Sequence, residues 1–422
     1  MASKVGQGAE RIAGTKPSVW VEFTALAKEC EAVNMGQGFP NYAPPSYITD
    51  ALAATASSSD VLMNQYTRPF GYPQLVANLA KLYGGLLNRQ IDPMNEILIT
   101  VGAYHALFYS VFGLMNPGDE AIILEPYYDC YEPQVRMAGG VPVFVPLNME
   151  QATGRSTAEI TLDFDRLEAK ITPKTKILFL NNPHNPTGKV FKKEELLRLA
   201  DIVKKHDLVV LSDEVYEWLT YPGVEMIRFA SLPGMWERTI TIGSAGKTFS
   251  MTGWKLGWAV GPNSLLRHLQ SIHQNCVFTS PTPTQVAAAA SFELELGRLN
   301  SARSYFRSLP NEELLPKRDK LIGILKSVGL NPVLPEGGYF MMAHYKDIAS
   351  KGGSVGDGPK DYGFVRWLCK EKKLAVIPVS AFYSPEHKHL GEDWIRFCFF
   401  KKDETLDATS AILQKWLHGS NA

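Results

Sequence analysis

The stretch Ser244-Ala-Gly-Lys-Thr-Phe-Ser-Met-Thr-Gly-Trp-Lys-Leu-Gly-Trp258 decides how the rest of the chain is read. It follows Thr239-Ile-Thr-Ile242, a β-branched run that predicts a buried strand ending at Gly243. Between Thr239 and Pro262 the charged residues are Lys247 and Lys255 alone. A lysine among Gly, Ser, Phe and Trp is costly to bury unless an anion or a covalent bond receives it. Desolvation lowers an amine's pKa and frees it as a nucleophile. The pattern therefore suggests Lys247 as a Schiff-base lysine for a carbonyl cofactor, with Ser244 and Lys255 on that cofactor's phosphate. A solvated loop lysine would look the same in sequence.

Working outward, strands and helices alternate on both sides of this stretch. Strands are expected at 96–101, 120–124, 141–147, 176–180 and 208–211, and helices at 102–112, 163–171 and 194–205. Continuous apolar strands separated by helices predict a mostly parallel sheet covered on both faces. Ligands of such sheets bind beyond the carboxyl ends of the strands. Further helices are expected at 282–296 and 311–329. Strands at 338–342, 374–377 and 394–400, with helices at 364–372 and 406–417, predict a second, smaller α/β unit. Residues 150–159 and 350–358 read as exposed loops.

Polar clusters fall where the strands end. Asp213, in Leu211-Ser-Asp-Glu-Val-Tyr216, needs a cationic partner or exposure. A pyridinium nitrogen would serve, with Tyr216 near the ring oxygen; a helix N-cap is the alternative. Asn181-Asn-Pro-His-Asn-Pro-Thr-Gly188 is a rigid corner able to aim Asn185 at a ligand, or simply a turn, and Pro183 and Pro186 are candidates for cis bonds. Val101-Gly-Ala-Tyr104 opens a helix whose N-terminus could bind phosphate. Glu125-Pro-Tyr-Tyr-Asp-Cys-Tyr131 offers aromatic faces for a flat ring, or for a core. Arg396, inside the apolar Trp394-Ile-Arg-Phe-Cys-Phe-Phe400, suits a carboxylate or a structural salt bridge.

Bulk composition excludes several classes. The chain has 422 residues, 45% hydrophobic and 20% charged, with zero formal net charge. That balance argues against nucleic acid or an anionic membrane as partner. No apolar run reaches membrane-spanning length. The five cysteines are scattered and show no Cys/His ligand spacing, so neither a disulfide framework nor a metal site is expected, and a reducing compartment such as the cytoplasm is. Lys4, Arg11 and Lys16 in the N-terminal tail leave a mitochondrial presequence as the alternative.

Taken in order, these elements resemble the fold-type I pyridoxal-phosphate aminotransferases: Gly-Ala-Tyr, Asn-Pro-x-Asn-Pro-x-Gly, Ser-Asp-Glu-Val-Tyr, Ser-Ala-Gly-Lys, then a C-terminal arginine. Asn34-Met-Gly-Gln-Gly-Phe-Pro40, Asn64-Gln-Tyr-Thr67, Tyr128-Asp-Cys-Tyr-Glu-Pro133 and Pro233-Gly-Met-Trp-Glu-Arg-Thr239 are similar to the kynurenine aminotransferase subgroup, which overlaps with glutamine transaminase K and cysteine-S-conjugate β-lyase. The resemblance implies a large cofactor domain at 46–309 with a mostly parallel seven-stranded sheet, a small α/β domain at 310–422, and an arm at 1–45 that joins the small domain.

It also implies the following roles. Lys247 holds pyridoxal phosphate covalently and shuttles the substrate's α-proton. Asp213 pairs with the ring nitrogen, Tyr216 and Asn185 reach the ring oxygen, Tyr128 stacks on the ring, and Asn181 belongs to the cofactor site. Ala103, Tyr104, Ser244, Lys255 and a second subunit's Tyr66 hold the phosphate, which makes a homodimer with shared active sites. Arg396, Asn185 and Gly38 take the substrate carboxylate, and Trp20, Tyr104 and Phe278 line its side-chain pocket. The implied reaction moves an amino group from L-kynurenine, glutamine, aromatic or sulfur amino acids to a 2-oxo acid, with kynurenine giving kynurenic acid. The alternatives are β-elimination as the main role and a non-catalytic binding protein of the same fold. One departure is Thr279, where one branch of the subgroup has histidine after the position of Phe278.

Overall fold

The computed structural model describes residues 6, 8–15 and 17–419. Lys4 and Lys16, on which the presequence reading partly rests, lie outside them. The strands are β1 (Val33–Asn34), β2 (Ile97–Thr100), β3 (Glu120–Glu125), β4 (Val141–Pro146), β5 (Thr175–Asn181), β6 (Val209–Asp213), β7 (Thr239–Ser244), β8 (Gly257–Val260), β9 (Asn331–Pro332), β10 (Phe340–His344), β11 (Leu374–Ala375), β12 (Ile377–Pro378) and β13 (Trp394–Cys398).

Seven of them form the large sheet, in the order β2-β8-β7-β6-β5-β3-β4. Its strands are parallel from β7 across to β4, while β8 runs antiparallel between β2 and β7. Every residue of β2, β7 and β8 is buried, as expected of strands covered on both faces. The covering helices carry the matching periodicity. In the helix Lys193–Lys205, Leu196, Leu199, Ala200 and Val203 fall on one buried face. Each large apolar side chain removed from water there contributes roughly 1.5–3 kcal/mol. Glu195 caps its first turn by accepting from Lys192 N–H at 2.8 Å, and Lys204 and Lys205 stand at the negative end of its dipole.

The second sheet is β12-β13-β10-β9, and β1 pairs in parallel with β11. One core joins the two sheets: Met35, Tyr216, Phe340 and Phe397 belong to the same buried apolar cluster. The segment 374–377, expected as one strand, is two. Leu374–Ala375 pairs with β1 and Ile377–Pro378 with β13, so the chain changes partner at Val376. The expected helix at 311–329 begins earlier, at Tyr305, and widens to a π-turn over Leu309–Leu314 before continuing as Leu315–Ser327. Pro310 and Pro316 lack the N–H that a regular α-helix would require there. Residues 150–159 are also more than an exposed loop. Ala152 and Thr157 are fully buried, and Ser156 bridges to Leu334. The large sheet's strand ends, the N-terminal residues 34–40 and β13 converge on one cavity.

Candidate active site

Register places the polar residues side by side. Asn181 ends β5 opposite Asp213 at the end of β6, and Ser244 ends β7 opposite Gly257. The next residues enclose a cavity of about 320 Å³, which Lys247 enters from the short helix Ala245–Thr248. Trp20, Gly38, Ala103, Tyr104, Tyr128, Asn181, Asn185, Asp213, Tyr216, Ser244, Lys247, Lys255 and Arg396 all line it.

Asp213 is 4% exposed, and its Oδ2 accepts a hydrogen bond from Tyr131 Oη at 2.6 Å. Its Oδ1 accepts from Val215 N–H at 3.4 Å, so it also closes a turn, the local role that its sequence allowed. Burial lifts its pKa to about 6 against the pull of the Tyr131 hydrogen bond. None of the salt bridges among the described residues includes it. Asn181 works on the backbone: its amide donates to Asp213 O at 2.9 Å, and its Oδ1 accepts from Asn185 N–H at 2.6 Å. The corner from 181 to 186 is thereby fixed, and its Asn182–Pro183 and Asn185–Pro186 bonds are cis.

Arg396 is fully buried. Its Nη1 donates to Asn185 Oδ1 at 2.8 Å and its Nη2 to Gly36 O at 3.0 Å, while Nε has no partner. Its guanidinium lies 3.9 Å from the Phe340 ring centre, 4.9 Å from Phe382 and 5.0 Å from Trp20. Burial pulls its pKa down to about 10. The structural salt bridge left open by sequence is thus absent among the described residues, and the buried cation faces the cavity with donors to spare.

Lys247 Nζ donates to Tyr339 Oη at 2.8 Å and to Gly38 O at 3.3 Å. Burial lowers its pKa to about 8; Arg396 and Lys255 push the same way, and Cys398 and Asp213 oppose. At the cavity's other end, Gly102 turns the chain out of β2 with φ +73° and starts the helix Gly102–Leu114. A side chain at Gly102 would come within 3.6 Å of Lys255 Nζ, so this helix N-terminus and that ammonium share one space. Tyr128 meets Tyr104 and Tyr131 edge-on, at 6.3 and 6.1 Å between ring centres.

Two expected site residues stand apart. Tyr66 and Phe278 do not line the cavity of their own chain. They are 82% and 47% exposed and meet each other edge-on at 5.6 Å. Phe278 follows the helix Asn263–Cys276 and adopts φ +69°. Conversely, the structure adds Tyr131 beside Asp213, Tyr339 beside Lys247, and Gln37, Phe39 and Phe340 in the wall. Tyr131 lay within the aromatic cluster singled out from sequence, but nothing there distinguished it from Tyr127 or Tyr128. Tyr339 sat in an apolar strand with no polar signal at all.

Known proteins resemble this chain along nearly its whole length. The family model described as aminotransferase class I and II matches residues 31–412. Kynurenine–oxoglutarate transaminase 3 of Mus musculus is 52% identical over 416 residues, 97% of this chain and 90% of that protein. Kynurenine–oxoglutarate transaminase 1 of Homo sapiens is 48% identical over 415 residues, covering 97% and 98%. Among solved structures, N-succinyldiaminopimelate aminotransferase from Mycobacterium tuberculosis superposes with a TM-score of 0.87 at 34% identity, covering 97% of this chain and all of that one.

Proposed function

The chain belongs to the aminotransferase class I and II family and is a transaminase, and on that premise we propose that it moves the amino group of L-kynurenine, glutamine, and aromatic or sulfur amino acids to a 2-oxo acid. What supports this reading is the grouping, around one cavity, of a buried carboxylate without a cation, an amine with a lowered pKa, and an arginine with donors to spare. The relatives named for kynurenine and oxoglutarate supply the substrate pair.

Fold-type I aminotransferases use pyridoxal phosphate, and the cavity's chemistry fits that group at three points. Asp213, a buried anion, would receive the protonated ring nitrogen. Lys247 presents a nucleophilic amine to the carbonyl. The N–H groups of Ala103 and Tyr104, with Ser244 and Lys255, would hold the phosphate. Tyr128 would stack on the ring, Tyr216 and Asn185 would reach its oxygen, and Asn181 keeps Asn185 aimed. When bound, the cofactor supplies a carbonyl for the amino group and a ring that accepts electrons from the substrate's α-carbon.

The chain's own residues do the rest. Arg396, Gly38 N–H and Asn185 would fix the substrate carboxylate, which sets the direction of the α-C–H bond. Lys247, neutral above about pH 8, would take the α-proton and return it. Tyr339 holds that amine by a hydrogen bond, and the Tyr216 ring packs edge-on against Tyr339 beside it, which limits where the amine can swing. Trp20, Phe39 and Phe340 shed water and favour large flat side chains. A panel of kynurenine, glutamine, phenylalanine and cysteine with 2-oxoglutarate checks the reading. Kynurenic acid should form from kynurenine; no amino transfer from any of the four would refute it. Pyruvate and ammonia from a cysteine S-conjugate would instead mark β-elimination.

The exposed Tyr66–Phe278 pair, together with Val61 and Leu62 at 70% and 67% exposure, supports a homodimer in which Tyr66 serves the second subunit's phosphate site. Light scattering should return twice the mass of the chain, and Tyr66→Phe should weaken cofactor binding. A single-chain mass would remove Tyr66 from the site. All five cysteines are free, in keeping with the cytoplasm, with the mitochondrion as the alternative that organelle fractionation would reveal. No helix among the described residues is long and apolar enough to cross a membrane.

A further inference from the structure

Lys401 is a buried cation that the reaction as described does not use. It is 1% exposed, and none of the salt bridges among the described residues includes it. Its Nζ donates to Gln37 O at 3.0 Å and to Phe39 O at 2.7 Å, and lies 4.6 Å from the Phe39 ring centre. Burial lowers its pKa, Cys398 opposes that, and the nearby Arg396 adds to it. An ammonium held only by carbonyls and a ring is an expensive thing to bury. Its own carbonyl accepts from Lys317 Nζ at 2.7 Å, so the backbone beneath it is anchored as well.

What Lys401 holds is the strip of residues 36–39 at the cavity wall. Four successive carbonyls of this strip meet cations or a hydroxyl. Gly36 O accepts from Arg396, Gln37 O and Phe39 O from Lys401, and Gly38 O from Lys247 and from Tyr339 Oη at 2.9 Å. The N–H groups are assigned too. Those of Gly36 and Gln37 donate to Asn34 Oδ1, each at 3.1 Å, and that of Phe39 to Gln37 O at 3.0 Å. Among the described hydrogen bonds, only the Gly38 N–H of this strip has no acceptor. Gly38 is pressed so close that a Cβ would come within 2.6 Å of the Phe340 ring, the same ring that stacks under Arg396. The free Gly38 N–H and the guanidinium with its unpartnered Nε are therefore set by one unit, and Lys401 supplies two of its ties.

We propose that Lys401 is a positioning residue for carboxylate recognition, fixing residues 36–39 so that Gly38 N–H and Arg396 address the same carboxylate of an amino acid or 2-oxo acid. This rests on the transaminase reading, and Lys401 itself touches no substrate. The test uses the cofactor-loaded protein and the variants Lys401→Gln and Lys401→Met. Calorimetry with indole-3-acetate, an aromatic carboxylate without an α-amino group, measures carboxylate binding without turnover. Both variants should bind it about tenfold more weakly or worse, and KM should rise by a similar factor for amino donor and 2-oxo acid alike, with kcat within about threefold of the parent. Cofactor absorbance and melting temperature should stay near the parent values. Unchanged probe affinity and KM would overturn the proposal. So would loss of cofactor together with a fall in kcat, or insolubility of both variants, since each assigns Lys401 to the fold and not to recognition. A parent protein that binds the probe but transfers no amino group would fail the transaminase reading while leaving the role of Lys401 measurable.

Discussion

Lys247→Arg should retain the fold and lose amino transfer by at least about four orders of magnitude, since the reaction loses both its nucleophile and its proton carrier. Arginine keeps the charge but is not deprotonated in proteins, so it can neither bond a carbonyl nor accept the α-proton. Reduction of the loaded parent with borohydride, followed by peptide mapping, should place the pyridoxyl group on Lys247. Label on Lys255, the other amine lining the cavity, would exchange the two lysines' roles. The pH dependence follows from burial. With the amine lowered to about 8, its neutral fraction grows about tenfold per pH unit below that value and levels off above it. Uptake of pyridoxal phosphate by the cofactor-free protein should therefore rise with pH and flatten near 8. An uptake rate still climbing at pH 10 would mean that the amine is solvated and unshifted.

Arg396→Ala is expected to raise KM by about a hundredfold or more, because breaking a buried charge pair costs about 3–5 kcal/mol. The rise should be equal for every amino acid and 2-oxo acid, since all share the carboxylate and differ only beyond it. A loss confined to one substrate would show that Arg396 reads side chains. Arg396→Lys should rescue little. A lysine cannot donate at once to Asn185 Oδ1, to Gly36 O and to a two-oxygen anion. Asn185 is shared between the guanidinium and the corner fixed by Asn181, so Asn185→Ala should reproduce part of the same KM effect.

Neighbouring residues show how far sequence reaches. Asp213 and Glu214 are adjacent carboxylates, both buried, with pKa values raised by desolvation to about 6 and about 7. Asp213 faces the cavity, while Glu214 accepts from Ser212 Oγ and Phe229 N–H on another side. Sequence singled out Asp213 by its place at the end of an apolar strand but left a helix N-cap open, and resemblance alone favoured the cofactor role. What separates the two physically is that successive residues at a strand end point in different directions, and a strand's orientation is set by its neighbours.

Sequence by itself determined the alternation of apolar strands and helices, the placing of Asp213, Asn181 and Arg396 at or within those strands, and that of Asn185 and Lys247 a few residues beyond them. These features are local: hydrophobic period, breaker residues and a charge in an apolar run are all visible within a window of a few residues. Tertiary structure alone decided the rest. It inserted β8 antiparallel between β2 and β7 and gave the buried groups of the site their hydrogen-bond partners. Tyr131 reaches Asp213 across 82 positions, Tyr339 reaches Lys247 across 92, and Lys401 reaches Gln37 across 364. Contacts so far apart along the chain leave no mark in any local pattern. They exist because the two sheets share one core, and that packing brings the lysine of residues 244–258 against the Gly36–Phe39 strip that would present the substrate to it.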